Sequence, residues 1–110
     1  MNYIDLEIDG KSYKLRLNTR NIVLLEKQLG CNPLTIFGTG DTIPTITTMV
    51  SILHASLQQY HHGITLNDAY DLFDDYLAEG HSSTDFITVI IDIYRASGII
   101  PKEDNKIKNV

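Results

Sequence analysis

Apolar and polar residues alternate on both sides of Asp9-Gly10 in "YIDLEIDGKSYKLRL", residues 3–17. A period of two predicts strands, and Asp-Gly between them predicts a two-residue type I′ turn, because both turn positions need positive φ. That turn pairs Ile8 with Lys11, Leu6 with Tyr13 and Ile4 with Leu15. Ile4, Leu6, Ile8, Tyr13 and Leu15 then share one face, while Asp5, Glu7, Ser12, Lys14 and Arg16 share the other, with Asp5 opposite Lys14. A slip of one residue would scramble this sorting, so the register is well specified. An isolated hairpin is marginal in water, so its apolar face must pack on something.

The period then lengthens to that of a helix. Asn18 and Thr19 can cap a segment with Ile22, Leu25 and Leu29 on one stripe, and Gly30 fits the position just past its end. The stretch "CNPLTIFGTGDTIP" predicts a loop with one helical turn around 33–37. A second helix is expected from Thr45 to Gly63, with Ile46, Met49, Val50, Leu53, Leu57 and Tyr60 on its stripe. A third carries Leu66, Ala69, Tyr70, Phe73 and Leu77 and stops at Gly80; a fourth carries Phe86, Val89, Ile90, Ile93 and Tyr94 and stops at Gly98. Thr65 with Asp68, and Ser82 with Asp85, have the spacing of capping boxes. In the fourth helix Ile87 and Ile91 fall off the stripe, so it is apolar nearly all round. Such a helix is either a central core helix or one covered by a partner. The expected fold is mainly α: an N-terminal β-hairpin (4–17) packed on a bundle of about four main helices, in one domain over 4–100. A polar, disordered tail is expected over 101–110.

Composition narrows the function. The 110 residues suit one domain, and the single cysteine, Cys31, excludes an internal disulfide and suits a reducing compartment. No apolar run approaches a membrane span, and the acidic start is not a signal peptide. Net charge is −5, and the nine Lys and Arg are scattered, which opposes binding to a phosphate backbone.

Candidate chemistry is sparse. His54 and His61 are seven residues apart, and His61 and His62 are adjacent; neither spacing makes a helical zinc site. His61 and His62 instead suit the negative end of the second helix. Asp68, Asp71, Asp74, Asp75 and Glu79 make the third helix acidic, as a solvated face or as a surface that steers a basic partner. Cys31 has no neighbouring base, and "GTGD" at 38–41 lacks the spacing and lysine of a phosphate-binding loop. No catalytic, cofactor or metal site is expected, and the residues point to protein binding. Self-association is a further expectation, since a hairpin has two edges. An alternative is a small helical DNA-associated regulator, which would need a basic recognition helix that is not visible.

Taken in order, "EIDGKSYKLRLNTRNIVLLEKQLGCNPL", "IPTITTMVSILHASLQQYHHGITLNDAYDLFDDYLAEG" and "TDFITVIIDIYRASGII" resemble the tail assembly chaperones of long-tailed (siphovirus-type) bacteriophages and prophages, over roughly residues 5–100. The resemblance implies a non-enzymatic protein of the bacterial host cytoplasm that is not retained in the mature virion. It would bind the helical tape measure protein and keep it soluble while tail tube subunits polymerise around it. In many such phages a frameshifted longer form recruits the tail tube (major tail) protein. No fixed partner-binding motif comes with the family. An amphipathic helix lays its apolar side in a groove, so surplus apolar residues are the candidates: Ile87 and Ile91, Ile99 and Ile100, with Met49 as an adaptable contact. The hairpin's apolar face is another candidate if the helices leave it bare.

Overall fold

A computed structural model describes residues 2–37 and 43–101. The stretch 38–41, expected as a loop, and the tail 102–110 both lie outside them. The chain forms an antiparallel hairpin, β1 (Ile4–Ile8) and β2 (Lys11–Leu15), followed by α1 (Thr19–Leu29), a 3₁₀ turn (Pro33–Phe37), α2 (Ile46–Leu57), α3 (Leu66–Ala78) and α4 (Ser83–Ser97). The protein is mainly α, with a hairpin packed on a helical bundle.

The hairpin has the predicted register, Ile4 to Leu15 through Ile8 to Lys11. Asp9 and Gly10 both take positive φ, 53° and 76°, as the turn demands. The apolar face is covered: Ile8, Tyr13 and Leu15 are buried, and Ile4 and Leu6 pack against the core. It therefore offers no bare groove to a partner.

Every helix is started by a side chain. Asn18, Thr45, Thr65 and Ser82 each accept a hydrogen bond from the backbone N–H three residues on, and Asp68 and Asp85 complete the two capping boxes. Gly30 and Gly98 close α1 and α4 in the left-handed conformation that glycine takes without strain. At the end of α4, Gly98 N–H donates to Arg95 and Ile99 N–H to Tyr94, a Schellman closure that folds Ile99 back onto the helix.

Two expectations are corrected, and one left open is decided. α2 ends at Leu57 and not near Gly63. The side chain of Gln58 takes the carbonyl of His54 (2.9 Å), which the next helical amide would have used, and also holds the carbonyl of Ile64 (2.9 Å). Gln58 N–H settles for Ala55, and the chain turns. His61 and His62 thus lie beyond the helix. On α3, Tyr70 is 40% exposed and Tyr76 is buried, so the buried stripe runs through Ala69, Phe73 and Tyr76. Tyr76 is held there by edge contacts with Phe86 (5.5 Å) and a stack on His81 (4.3 Å). Finally, the central helix is α2, not α4. α2 packs on β2, α1, α3 and α4, and eight of its twelve residues are buried.

Candidate functional site

The surface carries the sequence-predicted binding residues unevenly. Ile87 and Ile91 are half-buried on α4, and Ile99 and Ile100 are half-buried beyond the Schellman closure. Ile87, Ile99 and Ile100 lean on the core, so each shows only part of its side chain. Met49 is 2% exposed and belongs to the core, because it lies on the inner side of the central helix. It presents nothing to a partner.

The larger exposed apolar side chains lie elsewhere. Val23 and Leu24 face out from α1, Leu24 at 56% exposure, and Ile43 and Ile46 are bare at the entry to α2. Sequence reasoning missed these as surface. The signal was present in the run Ile22-Val23-Leu24-Leu25, since no single helical face holds four consecutive residues. Ile46 was placed on the buried stripe, but as the first residue of α2 it lies clear of the packing that covers Val50 and Leu53.

A cleft of about 570 Å³ lies where the hairpin meets the α2–α3 link. Lys11 and Tyr13 line it from β2, His61 and Ile64 from the link, and Asp71 and Leu72 from α3. His61 organises this corner. Its Nε2 accepts the backbone N–H of Lys14 (3.0 Å), so the neutral ring carries its proton on Nδ1. Its ring meets Tyr13 edge-on at 5.4 Å. Burial, then the charges of Lys11 and Lys14, hold the His61 imidazolium form down, below the ordinary histidine value. The tyrosines also gather cations: the Lys11 ammonium lies 5.5 Å from the Tyr13 ring, and that of Lys14 lies 5.1 Å from Tyr3 and 5.8 Å from Tyr60.

On α3 and its C-cap the carboxylates of Asp68, Asp71, Asp74, Asp75 and Glu79 are exposed. Two of them have structural duties: Asp68 accepts from Thr65 N–H in the capping box, which lowers its pKa, and Glu79 accepts from Asp9 N–H in the hairpin turn. Among the described residues, no three His, Cys, Asp or Glu side chains gather into a metal-holding group. No helix there is long and apolar enough to cross a membrane.

Fold and surface together define a class: a small α-helical domain with an N-terminal hairpin, acidic on one helix and apolar on another. The chain belongs to the family of unknown function DUF6096, whose model matches residues 3–110. No curated protein and no solved structure matches it.

Proposed function

We propose that the protein is a tail assembly chaperone of a long-tailed phage or prophage, which binds the tape measure protein and keeps it soluble until tail tube subunits polymerise. The observation that carries this reading is the ordered resemblance over residues 5–100, from the hairpin and "LEKQLG" through "AYDLFDDYLAEG" to the fourth helix. The exposed Val23 and Leu24 on α1 and the half-buried Ile87 and Ile91 on α4 supply apolar surface for an amphipathic helix. The role is a binding role without chemistry, performed in the host cytoplasm, and the protein leaves before the virion is complete. A longer frameshifted form would bring in the tail tube protein.

The test is co-expression with the tape measure protein encoded in the same gene cluster. The expected result is a soluble complex containing both chains. A tape measure protein that is equally insoluble with and without this partner overturns the reading.

A further inference from the structure

The two edges of the hairpin are not equivalent. In a two-residue hairpin the pair flanking the turn is hydrogen-bonded, so the bonded pairs are Ile8 with Lys11, Leu6 with Tyr13 and Ile4 with Leu15. Asp5 and Glu7 on β1, and Ser12 and Lys14 on β2, therefore turn their N–H and C=O groups outward. The end of α2 and the link after it meet the β2 edge. Lys14 N–H donates to His61 Nε2 (3.0 Å), and Arg16 N–H, just past the strand, donates to the Ser56 carbonyl (2.9 Å). In the turn, Asp9 N–H donates to Glu79. On β1 nothing comparable occurs: among the described residues, the outward groups of Asp5 and Glu7 have no partner.

The side chains on this open edge carry unneutralised charge. Lys14 stands opposite Asp5 in the register, but its ammonium lies over Tyr3 and Tyr60; that of Lys11 lies over Tyr13. Asp5 and Glu7 form no ion pair among the described residues. Both side chains are exposed, while Leu6 between them turns toward the core.

We propose that the outer edge of β1 is a docking site for an extended segment of another protein with the pattern basic, apolar, basic. The pattern follows from the pleat. An antiparallel strand would exchange hydrogen bonds with Asp5 and with Glu7, and the two residues making them would stand on the acidic face, where Lys or Arg fits. The residue between them would stand on the Leu6 face, where an apolar side chain extends the covered surface. A second copy of this chain fits poorly. Two β1 strands related by a two-fold axis at Leu6 would set Asp5 against Glu7 twice, and the Lys14 and Arg16 amides that β2 would need are already bonded. This partner is extended and basic, and so is distinct from the amphipathic helix of the proposed function.

The experiment titrates the full-length, isotope-labelled protein with an acetylated and amidated Thr-Lys-Val-Lys-Thr peptide, and separately with Thr-Glu-Val-Glu-Thr. The expected result is saturable amide shifts centred on Asp5 and Glu7, with slowed exchange of those two amides, for the lysine peptide only. Glu7→Pro removes one outward donor while leaving the inner ladder intact, and weakens binding by about tenfold or more. The double change Asp5→Lys with Glu7→Lys retains every backbone group and transfers the preference to the glutamate peptide. Absence of saturation, shifts centred elsewhere, equal response to both peptides or an unswitched preference in the double variant each overturns the proposal.

Discussion

Helices α2 and α4 carry comparable runs of apolar residues, yet they hold opposite positions. α4 has Ile87, Val89, Ile90, Ile91 and Ile93 within one short stretch, but buries only Phe86, Ile90, Ile93 and Tyr94 of its fifteen residues. α2 is interrupted by Ser51, Ala55 and Ser56, and buries all three. Small residues let neighbouring backbones come close, and the polarity of Ser56 is met on the spot: its Oγ donates to the Leu53 carbonyl (2.9 Å), and its own carbonyl receives Arg16 N–H from the hairpin. Apolar content alone does not rank helices by centrality. What places α2 at the centre is that four elements can pack on it, and its small residues suit that arrangement.

The difference can be broken most directly in the core. Leu53→Ala on α2 is expected to cost about 2–5 kcal/mol in chemical denaturation, because the side chain is buried in the helix on which four other elements pack. A loss below about 1 kcal/mol would show that α2 is not the central helix. Ser56→Leu should cost about 1–3 kcal/mol, since it forces added volume into a fully packed site beside the hairpin. An unchanged denaturation midpoint would remove the argument from small residues.

The capping box of α4 gives a smaller effect. Ser82→Ala deletes the acceptor for Asp85 N–H and is expected to lose about 1 kcal/mol of stability. Acid should loosen the corner where α2 meets the hairpin. His54 and His61 both titrate below the ordinary histidine value of 6.5 when folded, each chiefly because of burial. The unfolded chain therefore binds their protons more readily. Stability is whole above 6.5 and falls as pH drops from there through the lower folded values. Protonation also takes the Nε2 lone pair that Lys14 N–H uses. His61→Asn should flatten part of the slope below pH 6.5 in urea denaturation, and an unaltered slope would exclude His61 as its source. The smallest change is expected on the outer side of α4. Ile91→Ser should shift stability by less than about 1 kcal/mol, and under the proposed function it should reduce the amount of tape measure protein kept soluble on co-expression. A large loss of stability would mean that Ile91 is a core residue after all.

Much of this fold is legible along the chain because its signals are local. The hairpin register follows from the two-residue period and the Asp9-Gly10 turn, and the helix starts follow from side chains three residues away from the amides they cap. The candidate surface was less legible. Ile87 and Ile91 were visible as surplus because they lie off a stripe, whereas Met49 was misplaced because its helix turned out to be enclosed on most sides. Tyr70 and Tyr76 could not be ranked by spacing. Which of the two turns inward depends on Phe86 and His81, contributed by α4 and the link before it.

Local chemistry thus settled where each helix begins, how the two strands pair and that Gly30 and Gly98 close their helices, since those interactions span only a few residues. Assembly settled which helix lies at the centre, where α2 stops relative to the histidines, and which strand edge is closed. Those outcomes depend on contacts between distant parts of the chain, such as Arg16 with Ser56, Lys14 with His61 and Leu17 with Ser97. No periodicity encodes them, because each exists only once the helices have packed.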